Sequence, residues 1–166
     1  MKKKLRTALA LSATALATIV HAPIASAIPP DFPDLAALAP ANNHDYQAPG
    51  APGSTTVRFN TPFGYRCTMG ARYISCGGNN LPGYVNRTEL KETGCGQEVS
   101  NTGTNDSAYF SPQPIYCSES GGPVLQSGNK LSFEGLVCGV GADFTACIDT
   151  TKHGFVLRQD GNSTVF

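Results

Sequence analysis

The chain has 166 residues, with 12 basic side chains against 12 acidic ones, 18 glycines, 12 prolines, 6 cysteines and no tryptophan. Its basic residues concentrate only in the first six positions, so neither nucleic acid nor anionic lipid has the dense positive surface it needs as a partner. A single long apolar run, also at the start, leaves no stretch for stable membrane insertion once that run is removed.

The start reads as a secretory signal peptide over residues 1–27. "MKKKLR" is a basic n-region, "TALALSATALATIV" an apolar h-region, and "ASA" at 25–27 a small-x-small site with cleavage after Ala27. The run is too short for a membrane anchor, and His21 and Pro23 interrupt it. Lys2, Lys3, Lys4 and Arg6 leave with the signal, so eight basic residues face twelve acidic ones in the remainder, a net charge of about −4. Such a product is expected to be secreted and extracellular, without a covalent anchor.

Residues 28–54, "IPPDFPDLAALAPANNHDYQAPGAPGS", hold six prolines and two glycines among few bulky apolar residues. That composition predicts a disordered Pro/Ala-rich linker, because too little surface is available to offset the entropy of ordering. Its "DFPDLAAL" stretch also suits a docking peptide. From residue 55 to 166 the texture changes. Short β-branched and aromatic runs ("TTVRFN", "GYRCTM", "RYISC", "SAYF", "PIYC", "KLSFEGLVCGV", "DFTACI", "GFVLRQ") alternate with Gly, Pro, Asn and Asp clusters. The fold class is therefore all-β: one small antiparallel domain stapled by disulfides, built of hairpins as a sandwich or partly open barrel. "YVNRTELKE" is the one place for a short helix.

Cys67, Cys76, Cys95, Cys117, Cys138 and Cys147 all follow the signal. An even count in an exported chain predicts three disulfides, and no pair has the short spacing of a zinc site. No metal or other cofactor is expected. "CTMGARYISC" (67–76) and "CGVGADFTAC" (138–147) echo each other as C-x-[Met/Val]-G-A-x-aromatic-x-x-C. A hairpin looping at Gly70-Ala71-Arg72-Tyr73 sets Met69 opposite Ile74 and Cys67 opposite Cys76, and the same register sets Cys138 opposite Cys147. The expected links are 67–76, 138–147 and, for the remaining pair, 95–117. Loop closure assigns about 2.7 kcal/mol to each ten-residue ring and about 3.4 kcal/mol to the third.

The order "FNTPFGYRC", "ISC", "GPVLQSG", "FEGLVCGVG", "TACIDTTKHGFVL" and a terminal "VF" resembles a family of small secreted actinobacterial six-cysteine proteins. That family carries a domain of unknown function. Phe63 and Tyr65 stand where it usually has Ser and Asn. The likeness spans residues 57–166 and implies an exported, disulfide-bonded β domain; it brings no activity with it.

"CSESGGPV" is similar to the nucleophile segment of chymotrypsin-like proteases, which makes Ser120 the one catalytic candidate. Three features oppose it. Ser118 stands where the oxyanion-hole glycine belongs. His44 lies in the linker, and His153 follows the serine, against that family's chain order. Two barrels do not fit in the length. A turn between a strand ending at Cys117 and one starting at Val124 is the expectation. His153 beside Asp149 or Asp143 reads as a strand-end hydrogen bonder. Glu89, Glu92 and Glu98 form a solvated face with no selected pair for glycoside chemistry. Asn86-Arg87-Thr88 and Asn105-Asp106-Ser107 are sequons and mark surface loops. Tyr65, Tyr73, Tyr84, Tyr109 and Tyr116 pack over disulfides or supply contact area to a ligand. A terminal Phe166 is found in outer-membrane barrels, but six cysteines in short hairpins do not suit one.

The function expected is that of a monomeric, non-catalytic secreted domain that binds a protein or glycan in or outside the cell envelope. The alternatives are a protease inhibitor presenting the loop 118–129 and a small serine hydrolase using Ser120.

Overall fold

Alternation with period two sends Val57 and Phe59 to one side of an extended chain and Thr56, Arg58 and Asn60 to the other. The computed structural model describes residues 28–48, 56–71, 73–78, 81, 97–101, 110–114 and 121–166, and there this pattern becomes strand β2 (Thr56–Asn60). It opens a meander with β3 (Arg66–Gly70), β4 (Tyr73–Gly78), β5 (Gln97–Asn101) and β6 (Phe110–Pro114), which pair in chain order as a five-stranded sheet. Pro112 and Pro114 lie on β6, at the sheet edge, where a missing N–H costs no ladder bond.

A second meander follows: β7 (Asn129–Phe133), β8 (Leu136–Val140), β9 (Phe144–Ile148), β10 (Gly154–Arg158) and β11 (Thr164–Val165). With β1 (Ala39–Pro40) added parallel to β7, it makes a six-stranded sheet. β7 and β8 are joined by Glu134 (φ 50°) and Gly135 (φ 83°), a two-residue turn with both residues left-handed, whose twist suits a hairpin. All four described cysteines are buried between the sheets, in one cluster with Val57, Phe59, Met69, Ile74, Leu131, Val140, Phe155 and Leu157. The molecule is thus a sandwich, and the all-β expectation holds.

The two cystines are Cys67–Cys76 and Cys138–Cys147, each spanning one hairpin with Cα atoms 4.1 Å apart. Both join directly opposed residues, at the narrow spacing of a non-hydrogen-bonded pair. The registers Met69↔Ile74 and Cys138↔Cys147 are those the echoed motif predicts; pairing extends inward as far as Gly70↔Tyr73. The expected signal peptide, residues 49–54 of the expected linker, the "YVNRTELKE" stretch read as the place for a short helix, and Cys95 with Cys117, the third expected link, lie outside the described residues.

Residues 28–48 correct the linker expectation. They are not free chain but a strap across the outer face of the six-stranded sheet. Leu35 is buried against Ala146 and Val156, with Phe32, Leu38, Val137, Phe144 and Ile148 around it. Gly139 supplies the room: a Cβ there would lie 2.5 Å from Leu38 Cδ1 and 2.9 Å from Leu35 Cδ2. Asp34 caps a 3-10 turn over Leu35–Ala37 by accepting from Ala36 N, and Asn42 caps a second over Asn43–Tyr46 by accepting from His44 N. Lys130 Nζ donates to the carbonyls of Leu35 (2.9 Å) and Ala36 (3.2 Å), and Arg158 Nη2 donates to Asp31 O. Ala39 N and Ala41 N donate to Gly128 O and Lys130 O, while Gln47 bridges to Val57 and Ala48 N reaches Thr56 O. The strap therefore runs from the β7 edge of one sheet to the β2 edge of the other. Composition misled because four apolar residues, Phe32, Leu35, Leu38 and Tyr46, find partners on a preformed sheet and capping groups satisfy the backbone.

Strap burial predicts a measurable loss on truncation. Leu35→Ala should lower the stability of the oxidised protein by about 2 kcal/mol, the lower end for a buried leucine because the site is close to solvent. Urea unfolding checks this, and limited proteolysis should show earlier cleavage within 28–48 in the variant.

Candidate functional site

The chain after Ser120 has a packing reason for its sequence. Ser118, Glu119 and Ser120 precede the described segment, which resumes at Gly121. Asn60 N donates to Pro123 O (2.9 Å) and Leu125 N donates to Asn60 O (2.8 Å), so residues 123–125 straddle Asn60 in a parallel bridge at Val124. A Cβ on Gly122 would lie 1.9 Å from Arg58 O, and one on Gly121 would lie 2.0 Å from Asn60 Oδ1. Gly122 is therefore demanded by the close approach of two backbones, and Gly121 by the Asn60 side chain packed against it. Asn60 Oδ1 is buried under this crossing with no hydrogen-bond partner among the described residues.

The segment is pinned yet outward-facing. Leu125 is fully buried as its anchor, Tyr46 Oη donates to Val124 O (3.4 Å), and the Val124 side chain is 42% exposed. The expected strand start at Val124 is corrected: Val124 makes one bridge only, and strand β7 begins at Asn129 after a turn closed by Asn129 N donating to Gln126 O, with Gly128 at φ 88°.

His153 does meet Asp149, but as part of a loop closure. Asp149, itself buried, accepts on Oδ1 from Thr151 N (2.8 Å), Thr151 Oγ1 (2.8 Å) and His153 N (3.0 Å). The threonine hydroxyl has one proton and gives it to the carboxylate. His153 Nδ1, 2.8 Å from that oxygen, is accordingly the donor to it. Asp149 N donates to His153 O (2.8 Å), completing the connection from β9 to β10. Asp143 is elsewhere, its carbonyl accepting from Gln159 N. This loop sits beside the turn of Glu134 and Gly135, since a Cβ on Gly135 would meet Thr150 Cγ2 at 2.6 Å. That is the opposite end of the six-stranded sheet from Asn129, where the chain following Ser120 enters. His44 sits on the strap with its ring exposed, 4.0 Å from Asp45.

The remaining candidates divide. Glu98 lies on β5, in register with Gly77 and Gln113; Glu89, Glu92 and the sequons at Asn86 and Asn105 are outside the described residues. Tyr65 is buried and accepts a hydrogen bond from Gln159 Nε2 (2.8 Å), tying the β2–β3 connection to the residue after β10. Burial pushes its hydroxyl above the usual tyrosine range, with the Gln159 contact acting the other way. Tyr73 is 40% exposed, and Tyr84, Tyr109 and Tyr116 are outside the described residues. The Phe166 ring stacks edge-on against Phe32 at 5.3 Å.

Strand pairing brings together a surface that reading along the chain does not suggest. On the five-stranded sheet, Arg58, Thr68, Ser75, Ser100 and Ser111 form one continuous cross-strand row, and Asn60, Arg66, Gly77, Glu98 and Gln113 form the next. No position in either row is apolar apart from glycine. At the β2–β3 end Arg58, Asn60, Arg66 and Thr68 are half-exposed, and Tyr73 projects beyond them; Ser75 and Ser100 are buried. The signal was present as period-two alternation in "TTVRFN" and "YRCTM", but its continuity needed the register.

Among the described residues no helix is long and apolar enough to cross a membrane, and no group of three or more His, Cys, Asp or Glu side chains is placed to share a metal ion. No protein-family model, curated protein or solved structure matches the chain.

Two outcomes follow from this geometry. Gly122→Ala should destabilise by about 3 kcal/mol, because its clash is with backbone. Gly128→Ala, whose Cβ meets open space, should cost about 1 kcal/mol for the left-handed backbone alone; urea midpoints compare them. For Tyr65, the unfolded hydroxyl ionises near about pH 10 and the folded one higher. Its contribution is complete below that pH and is lost as pH rises through the folded value. Raising pH from about 8 to about 10.5 should lower the urea midpoint more in the parent protein than in Tyr65→Phe.

Proposed function

We propose that this is an exported, monomeric binding domain with no bond-making chemistry of its own, and that its ligand is a protein or glycan in or outside the cell envelope. The observation that carries the reading is the polar, half-exposed β2–β3 end of the outer face of the five-stranded sheet. Arg58 and Arg66 stand on adjacent strands there, Tyr73 projects at one side, and the pinned segment carrying Val124 runs along the β2 edge. Arginine and tyrosine are the side chains that most often dominate binding energy, and a preorganised surface loses little entropy on association. The other sheet's outer face, by contrast, is apolar and already occupied by the strap.

Export is part of the same proposal. Two buried cystines suit an oxidising compartment outside the cytoplasm. Cleavage after Ala27 would leave Ile28 just ahead of the docked strap, whose first turn is closed by Phe32 N donating to Pro29 O. The resemblance of the six-cysteine order and short motifs to those of small secreted actinobacterial proteins is in keeping with it.

The burial of Leu125 weighs against the inhibitor alternative. A substrate-like loop offers successive side chains to a protease, and here the middle residue of 123–127 is turned into the core.

Binding is tested with the oxidised protein immobilised and exposed to envelope extract and culture fluid. The expected result is specific retention of one protein or glycan class, lost on reduction and weakened about tenfold or more, roughly 1.4 kcal/mol, by Tyr73→Ala or Arg66→Glu. Lys152→Ala, on the far loop, should leave it unchanged. Substrate turnover abolished by a single substitution at Ser120 would refute the reading.

A further inference from the structure

The connection between β10 and β11 reads Asp160-Gly161-Asn162-Ser163-Thr164. It contains a third Asn-x-Ser/Thr sequon, and unlike those at Asn86 and Asn105 it has a carboxylate two residues before the asparagine; Tyr84 and Gly103 hold that place in the other two. We propose that Asn162 is an acceptor site for N-linked glycosylation, with a lipid-pyrophosphate-linked oligosaccharide as the donor.

The geometry is that of an accessible turn. Asp160, Gly161 and Asn162 are exposed, and Asn162 directly follows the turn that Gly161, at φ 89°, closes by donating to Arg158 O. The acceptor amide is already oriented by its neighbour: Asn162 N donates to Asp160 Oδ1 and Asn162 Nδ2 donates to Asp160 Oδ2, both at 2.9 Å. These contacts, the backbone N–H first, hold the Asp160 carboxyl below its usual range, so it is ionised at any neutral or mildly acidic pH. The hydroxyl residue required two places on, Thr164, begins β11, which is only two residues long and pairs with β10 alone. Opening the turn into a transferase releases a local set of bonds: Ser163 Oγ accepts from Arg158 N, Gly161 N donates to Arg158 O, Asn162 donates to Asp160, and Thr164 pairs with Val156.

In the reaction the Asn162 amide nitrogen attacks the anomeric carbon of the donor sugar. A C–N bond forms as the C–O bond to the pyrophosphate breaks. The lipid pyrophosphate leaves, and the amide proton passes to a base of the transferase. Some oligosaccharyltransferases require the preceding carboxylate, whereas others require only Asn-x-Ser/Thr. That difference makes the role of Asp160 separable from that of Asn162. A glycan here would project from the edge of the six-stranded sheet, away from the proposed binding face on the other sheet.

The test is independent of export and of ligand binding. The purified, oxidised, full-length protein is incubated with lipid-linked oligosaccharide and one transferase of each kind, with a sequon peptide in the same tube as an internal control. Mass spectrometry of the protein and its peptides is expected to show a glycan on Asn162 with both transferases, and on Asn162 alone with the carboxylate-requiring one. Asn162→Gln should lose it. Asp160→Asn should lose it with the carboxylate-requiring transferase and keep it with the other, which also reports that the variant turn remains competent. An unmodified Asn162 beside a glycosylated control peptide would overturn the proposal, as would glycan found only at Asn86 or Asn105.

Discussion

Two covalent bonds between directly opposed strand residues set everything else. Cys67–Cys76 and Cys138–Cys147 each lock the pairing of one hairpin, and a strand slipped by one residue would send every side chain to the wrong face. Each ring is short, so its entropic contribution is modest, about 2.7 kcal/mol by loop closure. What the bonds add is specificity of register in strands that pairing alone would hold weakly: β3 and β4 carry Gly70, Gly77 and Gly78, and β8 carries Gly139.

With register fixed, the two sheets acquire opposite outer faces from similar meanders. On the six-stranded sheet Val137, Phe144, Ala146, Ile148 and Val156 point away from the sandwich core and would be a liability if bare. The strap covers them, anchored by Leu35 and held by Lys130 and Arg158 through its carbonyl oxygens. On the five-stranded sheet the outward positions of β2 and β3 are polar and half-exposed, so no such cover is required there by the hydrophobic effect, while Ser75, Gly77 and Ser100 next to them are buried. The strap also closes the seam between the sheets by bonding to β7 at one end and β2 at the other, and residues 123–125 make a second crossing at Asn60. One outer face is thus closed by the chain itself, and the other carries Arg58, Arg66 and Tyr73.

Much of this was legible from the residues, for a physical reason. Period-two alternation and the repeated cysteine motif are local signals, and they gave the all-β class, both described hairpin registers and both described cystines. What was missed depends on partners distant in sequence. β5, "QEVSN", has a single apolar residue, Val99, and is a strand only because β4 and β6 flank it. "KLSFEGLVCGV" reads as one run because Glu134 occupies a left-handed position that Asn or Asp would have advertised. The strap looked like free chain because its apolar residues are sparse, and sparse anchors suffice where a face already exists to receive them. Gly121 and Gly122 read as turn residues, yet their lack of Cβ is required by the Asn60 side chain and the Arg58 backbone more than sixty residues earlier.

The claim that two hairpin cystines fix the register is tested most directly by disulfide mapping of the oxidised protein, digested without reduction and analysed by mass spectrometry. The account predicts that Cys67 is joined to Cys76 and Cys138 to Cys147, each link inside its own hairpin. A bond between a cysteine of one hairpin and a cysteine of the other would contradict it, because neither meander could then keep the pairing from which both faces follow.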